Sequence, residues 1–234
     1  MRRFDRVLVI SPHADDEVLG CGGLIAAQVE AGAEVHVLYL AVDGMRHYGL
    51  DGATSYRQRL AEIEAVRATL GFSYDIAYGD MDLTERLDTL PRRELVDLFE
   101  RTLNERRPDL LLLPSFADYD QDHLAVFGAG FAAARPIAQQ FGKWLVPTVL
   151  LYEMSKIQWA AEPMPRSTAF CDISAYMERK LEALRGYQSQ HRPSPHIRSE
   201  ESVTALATLR GAEIGVTHAE AFGVLREVLS TTTG

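Results

Sequence analysis

The sequence predicts an α/β fold in which helices cover both faces of a mostly parallel β-sheet, a three-layer α/β/α arrangement. Short apolar runs alternate with segments that carry the 3–4 residue spacing of amphipathic helices. Repeated strand–helix units of this length form right-handed crossovers between parallel strands. In addition, residues 110–114 read L-L-L-L-P, a continuous apolar run that is typical of a strand buried on both faces.

The elements follow one another in a regular order, and glycine or proline ends several of the helices. Strands are predicted at residues 7–10, 34–40, 74–78, 110–114 and 146–152. Helices are predicted at residues 15–31, 55–70, from Pro91 to just before Pro108, 123–140 and 175–185. Because the chain shows no repeat or linker, residues 1–234 are predicted to form a single domain.

Composition argues against nucleic acid and membranes as binding partners and bears on the cellular compartment. The chain of 234 residues carries 33 acidic and 24 basic side chains, a net charge of −9, which argues against binding to nucleic acid. No apolar run reaches the roughly 20 residues of a membrane span, and no signal-peptide core is present. The two cysteines, Cys21 and Cys171, suit a reducing compartment, so a cytoplasmic protein is expected.

Chemically active side chains are concentrated directly after the first predicted strand, where residues 11–17 read S-P-H-A-D-D-E. Acidic residues oppose the helix dipole in a first turn, so an ordinary helix start is one interpretation of residues 15–17. The added imidazole favours another. If His13 lies at the helix start, it and Asp16 are about one turn apart and can converge on one point.

A second cluster, D-Y-D-Q-D-H at residues 118–123, follows the strand at residues 110–114. Ligands of open parallel sheets bind beyond the carboxyl ends of the strands, so both clusters should open onto one edge. Taken alone, Asp120 or Asp122 can simply cap the next helix, and His123 can be a surface residue. Together the clusters provide the three ligands of a catalytic zinc site with an open position: His13, Asp16 and His123.

Other residues near the first cluster fit this hypothesis. A metal held there lowers the pKa of bound water, and Asp15, which adjoins Asp16 but points elsewhere, suits the general base on that zinc-bound water. Gly20, Gly22 and Gly23 cost up to ~1 kcal/mol each in a helix, which predicts close packing of this helix on the sheet. They do not form G-x-G-x-x-G, so a dinucleotide site is a weaker alternative.

These residues resemble a known family. Residues 12–17, P-H-A-D-D-E, with Gly22-Gly23 behind them, resemble the P-H-P-D-D-E…G-G signature of the LmbE-like family, also called the PIG-L deacetylases. Its second motif, H-x-D-H, is matched in part by D-Q-D-H at residues 120–123. Weaker similarities lie at residues 59–62, 187–190 and 219–222.

The resemblance implies a Rossmann-like, LmbE-like deacetylase fold and a metal-dependent N-deacetylase acting on a small N-acylated sugar or glycoside. The family's metal ligands correspond to His13, Asp16 and His123, with Zn²⁺ expected and Fe²⁺ as the alternative metal. The family's base corresponds to Asp15. Asp122 corresponds to the carboxylate that orients an imidazole of the catalytic site.

Two residues depart from the family pattern. Ala14 replaces the usual proline of the turn, and Asp120 stands where the family has a histidine that stabilises the oxyanion or protonates the leaving amine. A carboxylate performs that task only when protonated. His218, close to the 219–222 motif, is the candidate replacement, with a surface histidine as the other interpretation.

Four residues are candidates for substrate binding: Asp43, Arg59, Asp82 and Asp120. Asp43 follows a strand that ends at the expected site. Arg59 can equally pair with Glu62 on its own helix, and Asp82 can be a solvated loop residue. Trp144 and Trp159 are interpreted as packing residues rather than as a sugar platform.

The predicted activity is hydrolysis of an N-acetyl or other N-acyl group on an amino sugar or glycoside. Three alternatives stay open: an amidase for a larger sugar amide or thiol conjugate, a metal- or sugar-binding protein without turnover, and a metal-free nucleotide-binding domain. The sequence leaves the oligomeric state open, a homo-oligomer included.

Overall fold

The computed structural model describes residues 2–43, 54–79, 81–137, 139–162 and 168–229. Its strands are β1 (Arg6–Ser11), β2 (Glu34–Tyr39), β3 (Ser73–Ile76), β4 (Leu110–Pro114), β5 (Thr148–Tyr152), β6 (Ala169–Asp172) and β7 (Ala219–Glu227). Its α-helices are α1 (Asp16–Glu30), α2 (Tyr56–Leu70), α3 (Arg92–Arg106), α4 (Gln121–Ala133), α5 (Met177–Gly186) and α6 (Glu200–Ile214).

In the described residues the strands form one seven-stranded sheet in the order β3-β2-β1-β4-β5-β7-β6. Strands β1 to β5 are parallel to their neighbours, whereas β7 is antiparallel to both β5 and β6. Tyr152 at the end of β5 pairs with Phe222 near the start of β7, so β7 begins at the carboxyl edge of the parallel strands. The predicted mostly parallel α/β fold is confirmed.

Alternate residues of each central strand face two separate cores. Val7 and Val9 of β1 pack into a core with residues of α1, α2 and α5, whereas Leu8 and Ile10 pack with residues of α3 and α4. All four side chains are at most 2% exposed. Helices on both faces therefore bury the sheet, as the continuous apolar runs indicate.

Most predicted elements are present, but three elements of the second half, β6, α6 and β7, were not predicted. The buried side of α6 consists of Val203, Ala207 and Gly211, so the helix shows only a weak apolar stripe in sequence. The predicted helix over residues 123–140 is also too long, since α4 ends at Ala133. Pro136 follows closely, and proline disfavours a helical conformation at the residue before it.

Helix α1 contains a break that a side chain from β7 satisfies. Cys21 has non-helical backbone angles, φ −149° and ψ 22°. The carboxylate of Glu220 accepts hydrogen bonds from the backbone amides of Gly23 and Leu24, both at 2.8 Å. Lys180 Nζ donates to Glu220 Oε1 at 2.7 Å, so the buried carboxylate is also charge-paired. This contact explains the acidic residue of the 219–222 motif.

The glycines of α1 permit close packing against neighbouring side chains. A Cβ atom at Gly20 would lie 2.4 Å from the ring of Tyr152, and one at Gly23 would lie 2.5 Å from Ile173. We expect Gly20→Ala to lower the free energy of unfolding by about 1–3 kcal/mol through overpacking. Gly22→Ala is the control, because the nearest atom to its Cβ would be Lys180 Cγ at 3.3 Å, a much less severe approach than the one at Gly20. Equal loss of stability in both variants, measured by urea unfolding, would contradict this explanation.

No helix among the described residues combines the length and the apolar composition that a membrane crossing requires.

Candidate metal centre and active site

The turn between β1 and α1 has a strained backbone at a buried carboxylate. Asp15 has φ 138° and ψ −22°, a region that side-chain-bearing residues rarely adopt, and its side chain makes no capping hydrogen bond to α1. An ordinary helix start therefore does not describe this residue. Its backbone amide instead donates to Glu17 Oε2 at 3.1 Å, which holds the turn in place.

Arg59 supports the same turn from below. Its guanidinium donates to the Ala14 carbonyl, to Glu62 Oε2 at 2.5 Å and to Ser189 Oγ at 3.0 Å. Ser189 in turn donates its backbone amide to Glu62 Oε1 at 2.7 Å. The weaker motifs at residues 59–62 and 187–190 thus meet in one buried network. In this structure Arg59 is 1% exposed and its described contacts support the turn, while its predicted role in substrate binding stays a prediction.

Glu17 is buried beneath the turn, at the end of a hydrogen-bonded chain that contains the hydroxyl groups of two tyrosines. Tyr187 donates to Glu17 Oε1 at 2.5 Å, and the Tyr39 hydroxyl lies 3.1 Å from that of Tyr187. Burial raises the pKa of Glu17 to about 7. Glu17 therefore points into the core behind the turn and away from solvent.

His13 is oriented by a carboxylate from the second cluster. Its Nε2 lies 2.8 Å from Asp122 Oδ2, and its Nδ1 lies 3.5 Å from Asp16 Oδ2. Asp122 itself is fixed by the backbone amides of Glu85 and Leu87, each at 2.7 Å. These are the contacts that a carboxylate needs in order to hold a ligand imidazole in one orientation.

His123 has the same arrangement with different partners. Its Nδ1 lies 3.0 Å from Asp118 Oδ2, and its Nε2 lies 3.1 Å from Asp16 Oδ2. Asp118 was not predicted as a site residue, although it belongs to the D-Y-D-Q-D-H cluster at residues 118–123. In each histidine, one ring nitrogen is paired with a supporting carboxylate: Nε2 of His13 with Asp122, and Nδ1 of His123 with Asp118. The other ring nitrogen of each, Nδ1 of His13 and Nε2 of His123, faces the region around Asp16.

The donor set of that region fits a metal ion. Ligand atoms of His13, Asp120 and His123 all lie within 4.8 Å of one another. Asp16 Oδ2 approaches both imidazoles, and the buried Asp16 Oδ1 has no hydrogen-bond partner. Two imidazoles with carboxylate oxygens suit Zn²⁺ or Fe²⁺. The structure thus adds Asp120, predicted as a substrate-binding residue, to the candidate ligands.

The electrostatics of this cluster also favour a cation. Burial alone would lower the pKa of His13, but hydrogen bonds to Asp122 and Asp16 raise it to about 10. Burial likewise opposes protonation of His123, yet Asp16 raises its pKa above the usual value. Carboxylates that hold protons on buried imidazoles create the negative potential that attracts a divalent ion.

Two cations at this centre were missed by the sequence analysis. Lys156 Nζ lies 3.2 Å from Asp120 Oδ2 and 3.0 Å from His123 Nε2, with 4% of its side chain exposed. Arg198 Nε lies 2.8 Å from Asp15 Oδ2. Lys156 follows β5 at the carboxyl edge of the sheet, which is a signal for a site residue. Arg198 lies in the loop before α6, where no pattern marks it.

With the geometry described, the family can be assigned. Residues 8–134, more than half of the chain, match the model of the family described as "PIG-L: GlcNAc-PI de-N-acetylase". The chain belongs to the PIG-L family. The predicted family membership is confirmed, and the matched segment contains both site clusters.

Individual relatives of this PIG-L chain differ in named activity. Diacetylchitobiose deacetylase of Thermococcus kodakarensis is 27% identical over 196 residues, covering 79% of this chain and 70% of that protein. The conserved protein TT1542 of Thermus thermophilus has a TM-score of 0.75 at 24% identity, with 99% of each chain covered. GalB of Pseudomonas putida, a 4-carboxy-2-hydroxymuconate hydratase, has a TM-score of 0.74 at 22% identity, covering 98% of this chain and 100% of its own. The two structural matches establish the fold only.

Three further predicted residues, Asp82, Asp43 and His218, have the following contacts among the described residues. Asp82 is exposed and pairs with Arg86 at 3.3 Å. Asp43 follows β2, and its carbonyl accepts a hydrogen bond from Thr84. The backbone of His218 exchanges hydrogen bonds with Ser174 Oγ and Ile173, and no contact among the described residues joins it to the two clusters. Their proposed roles in binding or catalysis therefore remain predictions.

The two tryptophans have different surroundings. Trp144 is half-buried and donates from Nε1 to the Pro108 carbonyl at 2.7 Å, as a packing residue does. Trp159 is 79% exposed, so its interpretation as a packing residue was wrong.

Proposed function

We propose that this PIG-L chain is a metal-dependent hydrolase that removes the N-acetyl group of an amino sugar or glycoside. The Asp15 carboxylate carries the proposal. It is fully buried, its backbone is strained, and neither oxygen meets an aligned hydrogen-bond donor. A buried carboxylate in that condition costs free energy, and such residues concentrate at functional sites, where a general base for an attacking water is one possible role. The deacetylase activity named for the Thermococcus relative supports the choice of reaction.

The metal would be held by His13, Asp16 and His123, with Asp120 as a further carboxylate at the same point. Zn²⁺ is the proposed ion, and Fe²⁺ suits the same donors. When bound, the metal would lower the pKa of a water molecule towards 7 and polarise the amide carbonyl.

Asp15 is the proposed general base, which transfers a proton from the attacking water to the departing nitrogen. Its Oδ2 is 2.8 Å from Arg198 Nε, and this ion pair fixes the position of the carboxylate. Oδ1, which this ion pair leaves free, accepts the proton of the attacking water. As the carbon–nitrogen bond breaks, Asp15 returns that proton to the departing nitrogen, so acetate and a free amine leave.

Lys156 supplies the positive charge that the carboxylate at position 120 cannot provide. Asp120 Oδ2 holds the Lys156 ammonium at 3.2 Å, within a site that excludes most solvent. Asp120 thus positions a cation rather than acting as an acid itself. The ammonium then donates a hydrogen bond to the oxygen on which negative charge develops.

Lys156→Met is expected to lower kcat about 100-fold, in the range that loss of one oxyanion donor produces, while metal content stays unchanged. The matched control is Lys143→Met. Lys143 is also buried, but it pairs with Glu100 at 3.0 Å away from the two clusters. Wild-type kcat in Lys156→Met, with bound metal, would contradict the role given to this side chain.

Elemental analysis followed by an acetate-release assay over N-acetylated monosaccharides, disaccharides and glycosides tests the function itself. Stoichiometric metal with hydrolysis of at least one of these amides is the expected result. Metal-loaded protein that hydrolyses only larger sugar amides or thiol conjugates would favour the amidase alternative. Metal-loaded protein inert on every amide would favour a binding protein, and folded metal-free protein with affinity for nucleotides would end the proposal.

A further inference from the structure

Two large aromatic side chains are exposed to solvent beside the candidate metal centre. Tyr119 is 45% exposed and Trp159 is 79% exposed. Their ring centroids lie 5.4 Å apart, and the ring planes are inclined by 43°. We call this pair the aromatic platform. Adjacent exposed aromatic side chains beside a functional site are a candidate binding surface.

The aromatic platform is connected to the metal centre by a single side chain. Lys156 Nζ lies 5.7 Å from the centroid of the Tyr119 ring and 3.0 Å from His123 Nε2. Tyr119 also stands in sequence between Asp118, which contacts His123, and Asp120, which belongs to the candidate ligand group. A molecule lying on the platform therefore reaches the centre with a group only a few atoms long.

Phe131 is another exposed aromatic residue, and its contacts among the described residues do not include the metal centre. Phe131 is 54% exposed and stacks on Phe127, with centroids 5.8 Å apart. Phe131 lies eight residues beyond His123, a candidate ligand on α4, which places it about 12 Å further along the helix. Phe131 therefore provides a matched control for exposure and chemistry without proximity to the site.

We propose that the aromatic platform binds the pyranose ring of the substrate, so that the N-acyl group on that ring extends past Lys156 into the metal centre. A pyranose has a flat face of C–H groups that packs on the electron-rich face of an aromatic ring, while its hydroxyl groups at the rim stay solvated. Tyrosine and tryptophan provide rigid contact area for such a face at low cost in conformational entropy.

This inference rests on the proposed function for the reaction, but binding can be measured without turnover. Trp159→Ala should raise KM for methyl N-acetyl-β-glucosaminide about tenfold, keep kcat within about twofold and retain its metal. Phe131→Ala should leave all three quantities unchanged. A split between KM and kcat separates a binding platform from a residue that only supports the fold.

Tryptophan fluorescence provides the second readout. The chain has two tryptophans, and Trp144 contacts Pro108 at the opposite, amino-terminal edge of β4. Titration of the inactive Asp15→Asn protein with the methyl glycoside should change the emission of Trp159 saturably. The change should disappear in the double variant that also carries Trp159→Ala.

Each outcome separates the platform from the proposed function. Hydrolysis with an unchanged KM in Trp159→Ala overturns the platform and leaves the deacetylase intact. Saturable emission that depends on Trp159, without hydrolysis of any acetylated sugar, supports the platform and overturns the deacetylase. A response to aryl glycosides but not to the methyl glycoside would mean that the platform binds an aromatic aglycone, which overturns binding of the sugar ring.

Discussion

Asp15→Asn is expected to reduce acetate release about 10²- to 10⁴-fold while the metal remains bound. Asparagine is nearly isosteric with aspartate and is one of the residues that tolerate positive φ, so the strained turn at φ 138° should persist. The amide cannot accept the proton of the attacking water. kcat at saturating substrate and metal content by elemental analysis measure the two parts of this expectation.

Asp109→Asn is the control for that substitution. Asp109 accepts hydrogen bonds from the backbone amides of Asp5 and Arg6 at 2.9 and 2.8 Å, at the amino end of the sheet. It should affect stability but not kcat. If Asp15→Asn has the circular dichroism spectrum of the wild type and still releases acetate at a substantial rate, Asp15 is not the general base.

His13→Ala is expected to lose both metal and activity. Its imidazole is one of the proposed ligands, and its removal also leaves Asp122 Oδ2 without the partner at 2.8 Å. The loss of metal affinity should exceed the roughly 10–100-fold that removing a carboxylate behind a ligand typically causes. Competition with a chromophoric chelator measures the affinity directly.

Two further variants provide reference values for the loss of metal affinity expected in His13→Ala. Asp122→Asn, which keeps the shape but weakens the support of His13, should lose about 10–100-fold in metal affinity. His36→Ala removes another buried histidine, which lies on β2 and contacts Ser73 Oγ of β3 at 2.9 Å, and it should leave metal affinity unchanged. If His13→Ala retained wild-type metal content, the ligand set proposed for this centre would be incorrect.

The fold was predictable where each element has a strong local pattern. The L-L-L-L-P run coincides with β4, and Gly71 stands at the end of α2 with φ 85°. In α6, by contrast, two of the three buried residues are Ala207 and Gly211, so burial leaves little trace in the hydrophobic pattern. Strand β7 is similarly obscured because Glu220, buried in its interior, belongs to the break in α1.

The candidate site divides in the same way. His13, Asp15 and Asp16 lie within four residues directly after β1, and His123 lies in the first turn of α4, which follows the neighbouring strand β4. Parallel topology brings such positions to one edge, so their proximity follows from the order of strands in the chain. Local sequence therefore identified His13, Asp16 and His123 as candidate ligands, Asp15 as the candidate base, and the edge of the sheet on which they lie, whereas Asp120 was added to the candidate ligands by the structure.

Only the tertiary structure decided which charges complete the centre. Lys156 and Arg198 come from segments after β5 and before α6, and no sequence pattern relates them to Asp120 or Asp15. The exposure of Trp159 was also not predictable, since the sequence around a tryptophan does not by itself distinguish a buried ring from an exposed one. Local spacing reports the contacts made within one turn or one strand. Partners that meet across more than 30 residues depend on how the whole chain packs, and that packing placed a cation beside the carboxylate where the family has a histidine.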